Sequence, residues 1–126
     1  MNLEKLSADF WSDVLLTAME VGTTYWATCR FELSPGPIAQ ISVKPDSPSF
    51  PNLADGSLDP RDDWQIIDHQ RLQDAVHSVL AFRLQVSPSI REAIHTAVRD
   101  MDAGNIDADA SDVIVQIAAF GEIVFA

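Results

Sequence analysis

The sequence predicts an α+β domain in which a small antiparallel sheet of about three strands packs against about four helices. Three observations support this class. Apolar residues alternate with polar ones early in the chain, four segments have helical apolar spacing, and three of those segments follow the strands. Strands grouped before helices favour an α+β fold over an alternating α/β fold.

The chain length predicts one domain over residues 1–126. The single cysteine, Cys29, excludes an internal disulfide. The amino terminus carries charged residues in place of a continuous apolar run, so no secretory signal is predicted. No run of about 18 apolar residues is present either, which argues against a membrane span. We therefore expect a cytoplasmic protein with no membrane partner.

The first predicted element is a helix over residues 8–21. Ser7 is a typical N-cap, because its hydroxyl accepts a hydrogen bond from an otherwise unpaired backbone N–H. Leu6 and Trp11 occupy the two positions of a hydrophobic staple. Gly22 is the expected left-handed C-cap at the end of this helix.

Period-two alternation predicts strands over residues 24–33 and 38–44, with a turn at residues 34–37. The simplest pairing of these strands is an antiparallel hairpin. Residues 45–60, rich in proline and serine, predict a long loop that is either functional or mobile. Residues 64–67 are expected to form a third strand.

Three further helices are predicted from apolar spacing and capping residues. Their expected bounds are residues 69–84 after the N-cap Asp68, residues 88–103 after Ser87, and residues 108–120 before Gly121. The apolar residues 123–125 are expected to add a short final strand.

The net charge limits the classes of partner. Nineteen acidic residues oppose eight lysines and arginines, which gives a formal net charge of −11. This field repels nucleic-acid phosphates, so we expect no direct nucleic-acid binding. It attracts basic protein surfaces and accelerates encounter with them. The alternative is that the charge serves only solubility.

Two acidic clusters are the candidate contact surface for such a partner. Their members are Asp59, Asp62 and Asp63 in the first, and Asp100, Asp102, Asp107, Asp109 and Asp112 in the second. The second cluster does not fit a calcium-binding EF-hand. In the register that starts at Asp100, Asn105 replaces the required glycine and Ser111 replaces the bidentate acid.

No catalytic motif is present, so enzymatic activity is the less favoured expectation, and no metal or cofactor is predicted. Cys29 lies within a predicted strand and is interpreted as a small buried apolar residue. His69 and His77 are too far apart on one helix to form a zinc pair, and His95 lies beside the apolar stripe of the next helix. All three are interpreted as surface or half-buried residues. The alternative to protein binding is a small enzyme or ligand-binding domain with a pocket near Tyr25, Trp26 and Trp64.

Residues 22–27 (Gly-Thr-Thr-Tyr-Trp-Ala), together with residues 107–116 and 120–125, resemble a group of small uncharacterised proteins from bacteriophages, prophages and mobile elements. The resemblance carries over no active-site residue. It implies a phage-type accessory protein in the cytoplasm of a bacterial host.

The charge and this resemblance together suggest a non-enzymatic factor that binds a host or phage protein with a basic surface. In its sharper form, the factor is an anti-defence inhibitor, directed at CRISPR or restriction systems, that mimics nucleic acid. A homo-oligomer formed through an exposed sheet edge is a further alternative.

Overall fold

Four helices form the body of the molecule within the part that the computed structural model describes, residues 3–23, 25–32, 38–43 and 65–124. They are α1 (Ala8–Thr17), α2 (His69–Leu80), α3 (Pro88–Asp100) and α4 (Ala108–Phe120). A π-helical turn, Ala18–Gly22, continues α1, and short 3-10 turns precede α1 and α4.

The helices begin at the predicted capping residues. The side chains of Ser7, Asp68 and Ser87 each accept a hydrogen bond from the backbone N–H three residues further on. Asp107 does the same for α4. Gly121, with a φ of 80°, ends α4 in the left-handed conformation that glycine adopts without steric cost. These predicted caps are confirmed.

Three helix ends differ from the prediction. Helix α3 ends at Asp100 rather than at residue 103, because Met101 adopts a left-handed conformation with a φ of 55°. Gly22 is not a left-handed cap. It instead allows close packing on α4, because a Cβ at Gly22 would lie 2.5 Å from the carbonyl oxygen of Ala108. Helix α2 ends at Leu80 rather than Leu84. Phe82 adopts a φ of 58°, which the right-handed helix cannot accommodate.

Helix α4 lies at the centre of the molecule. Residues 110–119 are all buried, and the helix contacts α1, α2, α3, the π-helical turn and the third strand. A helix without an exposed polar face must be covered by its neighbours. The fully buried side chains around it include Trp11, Leu15, Leu72, Val76 and Ile94.

Three short strands, β1 (Ala27–Glu32), β2 (Ile38–Val43) and β3 (Gln65–Asp68), are joined by antiparallel backbone pairing in the order β1-β2-β3. Ala27 pairs with Val43, and Ile38 pairs with Asp68. Strand β3 packs on α2 and α4, and its Ile67 is fully buried.

The predicted α+β class is wrong, because helices dominate the described part of the chain. Of the residues described with their side chains, 71% are helical, and the strand among them is one short segment of β3. Among the residues whose burial is described, most of the core comes from helices packed around α4. One reason is that Tyr25 and Trp26, which the alternation assigned to a strand, lie in a turn before β1 and contact α4.

Several predicted segments are not covered by the described residues. The predicted turn at 34–37, the long loop at 45–60 and Trp64 all lie outside them. Residues 123–124 are described and are not in a strand, so the predicted final strand is not formed there.

Candidate functional site

A buried carboxylate, Asp112, is held by side chains from a distant part of the sequence. Asp112 is 7% exposed. Its Oδ1 accepts a hydrogen bond from Trp26 Nε1 at 2.8 Å, and its Oδ2 accepts one from the Tyr25 hydroxyl at 2.8 Å. Gln116 Nε2 also donates to Oδ2, at 3.0 Å. We call Tyr25, Trp26, Asp112 and Gln116 the Asp112 cluster.

The local backbone brings both halves of this cluster together. Asp112 and Gln116 are four residues apart on α4 and so share one face of the helix. On the other side, the carbonyl oxygen of Thr23 accepts hydrogen bonds from the backbone N–H groups of Trp26 and Ala27, which forms a tight turn. This turn directs Tyr25 and Trp26 at α4.

Gln116 also connects the cluster to the segment after α4. Its Oε1 accepts a hydrogen bond from the backbone N–H of Val124 at 2.9 Å. Its Nε2 lies 3.3 Å from the Tyr25 hydroxyl in addition to its bond with Asp112. Because the carbonyl side of the amide faces Val124, the donor side is directed at Asp112.

The electrostatics keep Tyr25 protonated. Burial raises the pKa of Asp112 above its usual 3.8, and the hydrogen bonds from Trp26, Tyr25 and Gln116 oppose that rise. The pKa of the Tyr25 phenol is raised by burial, by its hydrogen bond to Asp112 and by the negative charge there. At neutral pH, Tyr25 is therefore a hydrogen-bond donor and not a base.

The Asp112 cluster forms one side of a cleft of about 340 Å³. From the cluster, the cleft is lined by Tyr25, Asp112 and Gln116. The other lining residues are the aliphatic Ile90, Val113 and Ile123 and a second acid, Asp109. We call this cavity the Asp112 cleft. It combines apolar walls with two carboxylates, one buried and one exposed, a combination suited to an organic cation.

The acids of the second predicted cluster have different positions and partners in the structure. Asp102 and Asp107 accept hydrogen bonds from backbone N–H groups at helix starts, and Asp100 forms an exposed ion pair with Arg99 at 3.0 Å. Asp109 and Asp112 are the two that the structure brings to one cleft.

The first acidic cluster, Asp59, Asp62 and Asp63, lies outside the described residues. The second cluster is therefore not one continuous contact surface, since two of its acids cap helices and Asp112 is buried.

The alternative pocket near Tyr25 and Trp26 corresponds in part to this cleft. Tyr25 lines the cleft and Trp26 is fully buried beside Asp112, with its ring 5.5 Å from that of Phe120. Sequence reasoning missed Gln116 and the burial of Asp112. The available signal was a pair of polar residues, Asp112 and Gln116, four apart in a mostly apolar helix.

The histidines do not form a metal centre in the described residues. His77 and His95 line a second cavity, of about 480 Å³, and His69 is exposed elsewhere. No group of three or more potential metal ligands is found in residues 3–23, 25–32, 38–43 and 65–124. The side chain of Cys29 is not among those described.

None of the helices in the described parts of the chain is long and apolar enough to cross a membrane.

Comparisons with protein-family models, curated proteins and solved structures gave no match. The interpretation of the site therefore depends on its geometry and chemistry alone.

Proposed function

We propose that the chain is a non-catalytic binding factor for a partner protein with a basic surface, and that the Asp112 cleft is its contact site. The observation that supports this proposal most is the Asp112 carboxylate, which is buried, oriented by three neutral donors and open to a cleft that also contains Asp109. A positively charged group in the cleft compensates the cost of burying that carboxylate.

The net charge supports the same partner class. With a formal net charge of −11, the molecule attracts cationic surfaces over a distance and repels nucleic-acid phosphates. Long-range attraction increases the rate of encounter, while specificity requires a defined contact. The cleft offers such a contact.

The protonation state of Tyr25 argues against its use as a catalytic base. A catalytic tyrosine needs a pKa lowered towards neutral pH, whereas burial and Asp112 raise the pKa of Tyr25. The Asp112 carboxylate accepts three hydrogen bonds that fix its position, which suits orientation of a bound cation.

A nucleic-acid mimic is the sharper form of this function, and it receives less support from the geometry. Mimicry of a phosphate backbone needs a regular row of exposed carboxylates. Among the acids of the second cluster, Asp102 and Asp107 cap helices and Asp112 is buried. A local contact with one basic group fits these positions better than an extended row.

The test is a fluorescence anisotropy titration with a labelled glycine-serine peptide that carries several lysines, at low and high salt. We expect binding that weakens with salt and disappears when the lysines are acetylated. Asp109→Asn should weaken it about two- to fivefold, the effect of one exposed charge pair. Asp13→Asn removes an equal charge from the exposed face of α1 and is the matched control.

Two outcomes would contradict the proposal. Equal affinity for the acetylated peptide would show that charge does not drive the contact. An equal loss in Asp109→Asn and Asp13→Asn would show that the net charge acts without the cleft. Light scattering of the free protein distinguishes self-association from capture of the peptide.

A further inference from the structure

We infer that the Asp112 cleft accepts a single lysine side chain, with its ammonium group at Asp112 and its alkyl chain along the aliphatic walls. This inference rests on the proposed function and specifies the chemical group that the cleft recognises. It follows from the number of acceptor positions on Asp112, the shape of the cleft and the charges around it.

The acceptor positions on Asp112 favour a single-point cation. An ionised carboxylate offers about four acceptor positions. Trp26 occupies one on Oδ1, and Tyr25 and Gln116 occupy two on Oδ2. Within the described residues one position on Oδ1 is left, so a donor that needs a single acceptor can bind without displacing the cluster.

This arrangement disfavours arginine. A guanidinium group binds a carboxylate best as a fork, with parallel hydrogen bonds to both oxygens. Both positions on Asp112 Oδ2 are already used by Tyr25 and Gln116. An ammonium group is a compact point charge with rotatable donors, so it can contact Asp112 and Asp109 without a fork.

The walls of the cleft require an alkyl chain on the cation. Ile90, Val113 and Ile123 line the cleft beside the ring of Tyr25. Four methylene groups of a lysine can cover these side chains while the ammonium group reaches the carboxylates. The volume of about 340 Å³ lies at the small end of the range for ligand sites, which fits one side chain and excludes a whole helix.

The experiment is an NMR titration of the full chain with Nα-acetyl-lysine methylamide, followed at the indole N–H resonance of Trp26. We expect a saturable shift in the millimolar range, which is typical of one small contact. The arginine analogue should bind several-fold more weakly, and the Nε-acetylated lysine analogue should leave the resonance unchanged. Asp109→Asn should weaken binding of the lysine analogue while the fold is retained, and Asp13→Asn should not.

Equal or tighter binding of the arginine analogue, or the same shift with the Nε-acetylated analogue, would overturn the inference. An unchanged Trp26 resonance with the lysine analogue would also overturn it. If the lysine peptide binds while this resonance stays unchanged, the proposed function stands and the lysine site is rejected. If the lysine analogue binds and the lysine peptide does not, the Asp112 cleft is a site for small amines. The protein-binding function is then rejected.

Discussion

The two sides of α4 are buried in different ways. One side faces α2: Ile117 and Ala118 of α4 line a shallow surface cavity together with Ala75 of α2. Ile114 of α4 is fully buried. The other side carries Asp112 and Gln116 and is covered by Tyr25 and Trp26 through hydrogen bonds. Apolar burial stabilises the fold directly. The polar side stabilises the fold less than the apolar side and orients a carboxylate at a cleft, so we assign most of the stability to the first side and recognition to the second.

The largest effect is expected on the apolar side. Ile114→Ala removes a fully buried side chain and should lower the free energy of unfolding by about 2–5 kcal/mol. Ile123→Ala, in a residue that is 39% exposed, is the control and should cost less than about 1 kcal/mol. Urea unfolding measures both. Similar losses in the two variants would contradict the central position of α4.

On the polar side, Asp112→Ala should lower the free energy of unfolding by about 1–3 kcal/mol. The loss arises because Trp26 and Gln116 each lose a buried hydrogen bond to Asp112. The substitution also removes the buried negative charge of Asp112, and this offsets part of the loss in the free energy of unfolding. Asp109→Ala, in an exposed residue, should stay within about 0.5 kcal/mol of the wild type in the same unfolding experiment. No change in Asp112→Ala would contradict the assigned hydrogen bonds.

The helix starts were more accessible from the sequence than the polar side of α4. Ser7, Asp68, Ser87 and Asp107 cap the helices as predicted, because capping is a local interaction over three residues. Contacts between Tyr25 or Trp26 and α4 join residues more than 80 positions apart, and no local pattern specifies them.

The error in fold class has a related cause. Alternation was interpreted as evidence for a strand that included Tyr25 and Trp26, while the complete burial of α4 was not visible in its apolar spacing.

A smaller effect is expected from the Tyr25 hydroxyl. Tyr25→Phe should lower the free energy of unfolding by about 0.5–1.5 kcal/mol, because one hydrogen bond to Asp112 is lost while the ring remains. In the Asp112→Ala background the same change should cost less, with a coupling energy of about 1 kcal/mol in a double-mutant cycle. Additive losses would show that the two side chains do not interact.

The smallest expected effect is a pH dependence of the free energy of unfolding that arises from Asp112. The folded pKa of Asp112 is raised above the usual 3.8, so the folded state binds its proton more tightly than the unfolded state. The stabilisation from the protonated form is complete below 3.8 and is lost as pH rises through the raised folded pKa. The stability of the wild type relative to Asp112→Asn should therefore fall across this interval.

Urea unfolding of both proteins at a series of pH values measures this difference, in which the titrations of the other acids cancel. A relative stability that rises with pH would mean that the hydrogen bonds outweigh burial and lower the pKa of Asp112.

The most direct test of the account is an NMR titration of the Asp112 side-chain carboxyl carbon, alone and with Nα-acetyl-lysine methylamide. We predict a pKa above 3.8 in the free protein and a lower pKa with the lysine analogue, because a bound cation stabilises the ionised form. The Nε-acetylated analogue should leave the pKa unchanged. A pKa at or below 3.8 that is insensitive to the lysine analogue would contradict the account of a buried carboxylate that receives a cation.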